Sequence, residues 1–164
     1  MITPRVAVSG DAAELVRLRR AMFAAMTGRD EPGPWERASE AVARRRLTDS
    51  PDSFVAYVID GPPGPGAAHL AACAVGTVEE RLPAPGHPTG RFGFLFSVCT
   101  DERYRGRGYA RAVTEATLDR FAELGVGRVD LHATDAAEPL YRSMGFAPHS
   151  TALSVDPRSW RAGG

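Results

Sequence analysis

Cysteine is scarce in this chain: the 164 residues contain only Cys73 and Cys99, each within an apolar, strand-like run. Two cysteines cannot form the framework of several disulfides that stabilises small secreted domains. We therefore expect two reduced thiols in the protein core. We also expect a cytoplasmic location, because thiols stay reduced in that compartment.

Long apolar segments are also missing. No run of apolar residues approaches the ~20 residues that a membrane-spanning helix requires. The opening MITPRVAVSG does not join a cationic segment to a long apolar one, which is the pattern of a secretory signal. The sequence therefore predicts neither secretion nor a membrane partner.

The chain carries no net charge, since 20 basic residues balance 20 acidic ones. A general nucleic-acid-binding protein usually carries a basic excess, so we predict no nucleic-acid partner. Positive charge is instead concentrated locally, which favours a small anionic ligand. Histidines, cysteines and carboxylates show no metal-ligand spacing, and we predict no metal site.

Strand-like and helical patterns follow one another in the order β-α-α-β-β-β-α-β-α-β. This order predicts an α/β (α+β) fold with a mixed, mostly antiparallel sheet of about six to seven strands and about four flanking helices. We expect a single domain over residues 1–164 with a poorly fixed tail at 156–164. The strand-like runs are 5–9, 53–60, 68–80, 91–100, 128–134 and 151–155.

The segment RYRGRGYARAV, residues 103–113, places four arginines and two glycines within its first nine residues. It lies between a strand-like run and a helical pattern. A glycine-rich turn at the start of a helix presents backbone N–H groups to an anion. Arginines add charge-assisted hydrogen bonds to phosphate oxygens. We therefore interpret the segment as a phosphate-binding turn rather than as a solvated surface turn.

Two other phosphate-binding motifs also place glycines just before a helix. No Gly-Lys-Ser/Thr follows, so this turn is not a P-loop. A dinucleotide site is an alternative, because Gly106 and Gly108 fit part of Gly-x-Gly-x-x-Gly and Asp130 lies about 20 residues further on. Arg111, however, takes the place of the third glycine, and hairpin-forming strands precede the turn. The dinucleotide reading is therefore the weaker one.

Residues 92–146 resemble the acetyl-CoA-binding core of the GCN5-related N-acetyltransferases (GNAT). The family motif Gln/Arg-x-x-Gly-x-Gly/Ala fits residues 105–110, Arg-Gly-Arg-Gly-Tyr-Ala. A second register beginning at Arg103 also matches, but the family usually has an aromatic residue just before the motif, here Tyr104. The closing LYRSMGF, residues 140–146, resembles the family's Leu-Tyr-x-x-x-Gly-Phe. The resemblance implies the GNAT fold.

The resemblance also implies an N-acetyltransferase with acetyl-CoA as its co-substrate. In such proteins the central strand separates from the next one and offers backbone N–H groups to the pantetheine arm and the thioester oxygen. Amides of the glycine-rich turn hold the pyrophosphate. Thr134 stands where the family often has an asparagine. The residues expected to bind acetyl-CoA are Val98, Cys99, Thr100, Arg105, Gly106, Arg107, Gly108, Tyr109, Ala110, Arg111 and Thr134.

Tyr141 occupies the position of the family's general acid. A phenol with a pKa of about 10 stays protonated at neutral pH and can give its proton to a departing thiolate. Packing in the core of a short helix is the alternative role. Glu79 and Glu80 are candidates for the base, although charged residues also commonly end a strand. Cys99 is not expected to act as a nucleophile, because direct transfer needs no covalent step.

The acceptor side is expected around MTGRDEPGPW, residues 26–35, which joins the first two helices. In the resembled family this segment usually lines the acceptor site. The candidate acceptor contacts are Asp30, Glu31, Trp35, Glu79 and His132; an ordinary exposed loop and a structural histidine are the alternatives.

Short loops and zero net charge favour a small-molecule primary amine as acceptor. Acetylation of a protein amine is an alternative, as is a non-catalytic acyl-CoA-binding or sensing domain of the same fold. A homodimer is left open.

Overall fold

The computed structural model describes residues 2–160, and the chain divides into two units, one ending at His132 and the other starting at Ala133. The first unit contains a sheet and three helices, and the second contains α4 (Glu138–Ser143). The expectation of one domain over the whole chain stays a prediction.

Two helices, α1 (Ala12–Thr27) and α2 (Pro34–Asp49), follow the first strand. α1 ends at Gly28, whose φ of 73° lets its N–H donate to the Ala24 carbonyl at 2.8 Å. Pro34 opens α2, where its missing N–H leaves no helical hydrogen bond unmade. Local sequence signals therefore account for the end of one helix and the start of the next.

The sheet has five strands lying side by side in chain order. The first four pair antiparallel, whereas the fourth and fifth pair in parallel because helix α3 (Tyr109–Glu123) crosses between them. The mixed, mostly antiparallel sheet expected from the sequence is therefore confirmed, and with it the fold class. The strands are β1 (Arg5–Val6), β2 (Phe54–Asp60), β3 (Leu70–Glu80), β4 (Arg91–Thr100) and β5 (Arg128–Leu131).

The expected count of about six to seven strands is wrong for the described part of the chain, which forms five. Residues 151–155 form no strand, and their side chains are exposed. Their alternation is a local pattern, whereas a strand requires a neighbour that completes the hydrogen-bonded ladder. β5 likewise stops at Leu131 rather than at residue 134, and β1 keeps only Arg5 and Val6 of the expected 5–9.

α1 and α3 cover opposite faces of the sheet. On the α1 face, Leu15 and Leu18 belong to one buried cluster with Val58 of β2. On the α3 face, Phe121 belongs to a second cluster with Val55 of the same strand. The apolar stripes of both helices are therefore used, as helical spacing predicts.

Two glycines let α3 lie close to the sheet. A Cβ atom at Gly76 of β3 would overlap the Phe121 ring, and one at Gly93 of β4 would lie 3.0 Å from it. Phe121 is 1% exposed, so the ring fills the gap that the missing side chains leave. This contact sets the height of α3 above the sheet, and the N-terminus of α3 carries the glycine-rich turn.

β4 separates from β5 about halfway along its length. Parallel pairing joins residues 92–95 to 128–131, but β4 continues to Thr100. At Ser97, φ is 48° and the register with β3 shifts, which marks a β-bulge. Beyond the bulge β4 stays paired with β3, for example at Cys73 and Cys99. In the described residues the other edge of 96–100 therefore has no strand beside it.

A buried carboxylate lies just after the end of β4. Asp101, 5% exposed, accepts hydrogen bonds from Arg17 of α1 at 2.8 Å and from Arg103 of the glycine-rich turn at 2.9 and 2.8 Å. The hydrogen bond from the Arg103 side chain is the largest cause that holds the pKa of the Asp101 carboxyl well below its usual range. The ion pairs join α1, β4 and the turn.

Gly76→Ala should destabilise the protein by about 2–3 kcal/mol, because the added methyl group forces Phe121 and α3 outward. Urea unfolding monitored by circular dichroism measures the change. Gly64→Ala is the matched control, since nothing lies within 4 Å of a Cβ atom at that position. Equal stability of the two variants would contradict the packing role of Gly76.

Asp101→Asn should cost about 1–3 kcal/mol at pH 7, because two guanidinium groups lose a charged acceptor. The folded-state pKa lies below the unfolded value of about 3.9, so the contribution is complete above about pH 5 and is lost as the pH falls through both values. The stability gap between wild type and variant should therefore close between about pH 5 and the acid limit of the unfolding measurement.

Asp119→Asn provides the control for this pH series. Asp119 is exposed on α3 and has no ion-pair partner in residues 2–160. The control should follow wild type at each pH. A gap for Asp101→Asn that stays constant with pH would contradict the charge-based account.

Candidate active site

The glycine-rich turn opens α3 with two residues in the left-handed region. Gly106 has φ 73° and Gly108 has φ 80°, and Gly108 directly precedes the first helical residue, Tyr109. A Cβ at Gly106 would meet nothing within 4 Å, and one at Gly108 only Ile2 Cδ1 at 3.9 Å. The backbone here is accessible, and the first N–H groups of a helix have no intrahelical acceptor. The turn can therefore receive an anion at close range.

The arginines of the turn are not equivalent. Both Arg103 and Arg105 are exposed, but Arg103 is paired with Asp101, whereas Arg105 has no ion-pair partner in residues 2–160. Arg107 donates to the Arg103 carbonyl at 3.5 Å and lies 5.5 Å from the centre of the Tyr104 ring. Arg111, in the first turn of α3, lies 3.6 Å from Glu115. The ion pair between Arg103 and Asp101 favours the motif register that begins at Arg105, because that arginine can point to a ligand.

Tyr104 holds the turn against the protein interior. Its ring is buried, and its hydroxyl lies 2.7 Å from Nε2 of His69, with the two rings stacked at 5.7 Å. His69 is not among the residues expected from the sequence. No local sequence signal connects residues 35 positions apart, so this contact is decided by the fold.

The far end of β4 brings three of the expected acetyl-CoA contacts to one edge. The Asp101 N–H donates to the Ala71 carbonyl of β3 at 2.9 Å, so by antiparallel alternation the N–H of the preceding Thr100 faces away from β3. That side is the one where β5 has ended. Val98 and Thr100 are partly exposed, whereas Cys99 is buried.

Both cysteines are free thiols inside the core, as expected. Cys99 Sγ lies 3.5 Å from Met22 Sδ, and Cys73 donates to the Ser97 carbonyl at 3.3 Å. The pKa of the Cys73 thiol is raised, mainly by a hydrogen bond with Cys99 and next by burial. The raised pKa keeps Cys73 protonated and does not favour a nucleophilic role.

The face of β4 toward α1 carries an aromatic row. Phe94 is 36% exposed and packs edge-on against His132 with ring centroids 5.3 Å apart. Phe96, two residues on, lies 5.7 Å from the guanidinium of Arg19 on α1. The bulge also turns Ser97 toward α1, where its hydroxyl accepts a hydrogen bond from Arg19. The structure therefore brings His132 and Arg19 to the same face of one strand, and of these two only His132 is expected from the sequence.

The expected acceptor residues between α1 and α2 are held by contacts within their own segment. Asp30 is exposed and forms a two-point ion pair with Arg20 at 2.7 and 2.6 Å, which lowers the pKa of its carboxyl. Glu31 lies 3.6 Å from Arg29. Trp35 donates from Nε1 to the Glu31 carbonyl at 2.9 Å. Their contact with an acceptor stays a prediction.

The candidate bases lie at the end of β3. Glu79 is exposed and pairs with Arg81 at 2.9 Å, and Glu80 is exposed beside it. Glu79 is the register partner of Phe92 on β4. Glu79 therefore lies beside Phe92, two residues before Phe94 on β4, and neither carboxylate is buried.

The second unit contains two further expected residues. The Thr134 hydroxyl accepts from the Ala137 N–H at 3.3 Å, which helps to start α4. Tyr141 on α4 is 8% exposed, and its ring packs edge-on against Phe146 at 5.7 Å. The motif LYRSMGF thus forms a short helix followed by a turn at Gly145, as expected.

Residues 2–160 contain no group of three or more histidine, cysteine or carboxylate side chains that is arranged to hold a metal ion. None of the helices in this part of the chain is long and apolar enough to cross a membrane.

Several solved structures share this fold. A predicted acetyltransferase from Clostridium acetobutylicum, solved with acetyl-CoA, superposes with a TM-score of 0.81 at 18% identity, covering 99% of this chain and 100% of that one. A GCN5-related N-acetyltransferase from Ralstonia eutropha JMP134 gives a TM-score of 0.76 at 26% identity, covering 97% and 100%. Glucosamine-6-phosphate N-acetyltransferase from Arabidopsis thaliana gives 0.73 at 18% identity, covering 96% and 99%.

No curated protein sequence matches the chain significantly. Residues 20–146 match the model of the Acetyltransferase (GNAT) family, which is most of the chain and includes both motifs of the sequence analysis. This confirms the resemblance drawn from those motifs, and the chain belongs to the GNAT family of acetyltransferases.

Proposed function

We propose that this protein transfers the acetyl group of acetyl-CoA directly to the primary amine of a small molecule. The observation that carries the proposal is the adjacency of two features. The unpaired edge of β4, residues 96–100, leads through Asp101 into the open glycine-rich turn at the start of α3. The β4 edge suits the amide-bearing pantetheine arm of acetyl-CoA, and the turn suits its pyrophosphate.

The turn fits the phosphates of CoA on chemical grounds. The backbone at Gly106 and Gly108 is open at the positive end of α3, where the amides from Gly106 to Arg111 are proposed to hold the phosphates, and Arg105 supplies an exposed guanidinium. An engaged Arg103 adds rigidity rather than a ligand contact. Binding of the large CoA handle would fix the thioester in position, and such orientation is a major part of the rate in transfer reactions.

The edge of β4 fits the reacting end of the same molecule. An N–H group at Val98 or Thr100 that faces the gap beside β4 can donate to the pantetheine arm or to the thioester oxygen. A donor fixed by the sheet stabilises the charge that develops on that oxygen. In the reaction the amine nitrogen bonds to the thioester carbon, the carbon–sulfur bond breaks, and one proton moves from the amine to the thiolate.

Tyr141 is proposed as the group that protonates the leaving thiolate. The support is its place in LYRSMGF, the second motif of the family, within the matched residues 20–146. Thr134 is proposed to hold the pantetheine arm through its hydroxyl. Glu79 and Glu80 are the candidates for accepting the proton of the amine, and His132, in aromatic contact with Phe94, is proposed to line the acceptor site.

A small acceptor is favoured over a protein tail because zero net charge and short loops offer no extended charged groove. The Arabidopsis thaliana protein of similar fold is named for a small amine, glucosamine 6-phosphate. A non-catalytic acyl-CoA sensor of the same fold is the second candidate, and turnover separates the two. All 20 basic residues of this chain are arginine, so thiol release reports an added amine rather than acetylation of lysine side chains.

Saturating acetyl-CoA should raise the melting temperature of the protein. At 100 times its dissociation constant a ligand adds about 2.7 kcal/mol of stability, which corresponds to roughly 5–10 °C for a domain of this size. NAD at the same concentration should give no shift. An unmoved melting temperature with both acetyl-CoA and CoA would contradict the proposed function.

Gly108→Asp and Gly108→Asn form a matched pair for the same measurement. Both side chains tolerate the φ of 80° at this position and have nearly equal size. The Asp variant should lose the shift with acetyl-CoA because its charge repels the pyrophosphate. The Asn variant should keep part of it. Equal shifts in the two variants would place the phosphates elsewhere.

Tyr141→Phe should lower kcat by about 10²-fold while leaving acetyl-CoA affinity unchanged, because the ring packing is kept and only the proton donor is lost. Thiol release and the thermal shift measure the two quantities. Tyr57→Phe on β2 is the control and should keep its kcat. An unchanged kcat in Tyr141→Phe would assign that residue to packing alone.

A further inference from the structure

Arg19 on α1 lies where β4 leaves β5. Its guanidinium is 4.7 Å from the centre of the Phe23 ring and 5.7 Å from that of Phe96. It also donates from Nη1 to the hydroxyl of Ser97 in the bulge. Phe96 and Ser97 are the first two residues of β4 beyond the last pair with β5. Arg19 therefore borders the start of the gap into which we place the thioester.

Within the described residues, no carboxylate forms an ion pair with Arg19. Its neighbours on the same helix are balanced: Arg17 pairs with Glu14 and Asp101, and Arg20 pairs with Asp30 and Glu36. Arg19 has no ion-pair partner in residues 2–160, where its contacts are a hydroxyl and two aromatic rings.

A guanidinium carries five N–H donors in a planar fork, and only one donor of Arg19 has an acceptor within the described part of the chain. The side chain is partly buried between α1 and β4, where screening by solvent is weaker than at an open surface. Stacking against the two rings fixes its direction. A fixed, partly buried and unpaired fork is suited to two-point binding of a carboxylate or a phosphate.

The surroundings place this fork beside an acceptor rather than beside CoA. The phosphates are assigned to the turn at the start of α3, beyond the opposite end of residues 96–100. Phe94, the exposed ring of β4, lies about 7 Å from Phe96 along the same face of the strand, and it carries the contact with His132. A small molecule lying on this face would have Arg19 at one end and His132 at the other.

We propose that Arg19 binds an anionic group, a carboxylate or a phosphate, of the amine that is acetylated, and so determines the acceptor class. The inference rests on the proposed function. Trp35 acts indirectly in this arrangement, because it packs edge-on against Phe23 at 5.8 Å and thereby supports one of the rings that hold Arg19.

Matched pairs of amines test this inference. Glucosamine 6-phosphate is compared with glucosamine, and L-phenylalanine with L-phenylalaninamide, by thiol release from acetyl-CoA. Wild type should prefer the anionic member of at least one pair by about ten- to a hundredfold in kcat/KM. This is the effect expected when a charged group gains hydrogen bonds from a guanidinium. The pair that responds distinguishes phosphate from carboxylate.

Arg19→Gln should abolish this preference by raising KM for the anionic member, with the neutral member changed by less than about threefold. Comparison of variant with wild type on the same amines cancels differences in amine basicity. Arg45→Gln removes the same charge from an exposed position on α2 and should behave as wild type. Arg19→Lys keeps the charge without the fork; it should keep part of the preference and serves if the Gln variant does not fold.

Calorimetric binding of the four amines to the protein, with and without CoA, gives a readout that does not depend on turnover. Binding of an anionic member that Arg19→Gln loses supports the inference even without acetyl transfer. Three results would overturn the inference. The first is a wild-type preference for the neutral members of the pairs. The second is an equal loss of kcat/KM for both members of a pair in Arg19→Gln, and the third is that wild type neither acetylates nor binds either anionic amine. A protein that does not respond to acetyl-CoA contradicts the proposed function instead, and that result is seen before any acceptor is added.

Discussion

The ladder between β4 and β5 ends after Leu95, and the candidate site depends on this ending. β3 holds the rest of β4 in place on the other edge, so residues 96–100 keep an extended backbone although one edge is open. A bulge at Ser97 adds to the separation. Backbone N–H groups that would normally complete a sheet thereby have no strand partner in residues 2–160, and the pairing with β3 fixes their direction.

The position of the glycine-rich turn follows from two contacts far from each other in sequence. Phe121 fits between Gly76 and Gly93 and sets the height of α3 above the sheet. Asp101 accepts hydrogen bonds from α1 and from the turn, and so holds the N-terminal end of α3 in place. The proposed anion site needs both contacts, because a site built from backbone amides works only if the start of the helix is held in place.

The same ion pairs leave some arginines near the proposed site without a partner, although the chain has no net charge. Most arginines near the site have a carboxylate partner, as Arg103 has Asp101 and Arg20 has Asp30. These pairs hold the scaffold and add little net potential. Arg105 and Arg107 on the turn and Arg19 on α1 have no ion-pair partner in residues 2–160, so unpaired arginines lie at both ends of residues 96–100.

The sequence by itself determined the order of elements up to α4, the glycine turn at the start of a helix and the family, because caps, periodicity and the two motifs are local patterns. It predicted too many strands: residues 151–155 alternate as a strand does, yet no neighbour within residues 2–160 completes their ladder. Only the tertiary structure decided which arginines pair with a carboxylate. It also decided that Tyr104 contacts His69 and that Arg19 donates a hydrogen bond to the bulge in β4. Partners that lie 35 to 84 residues apart leave no local signal, because their contact energy exists only once the sheet has formed.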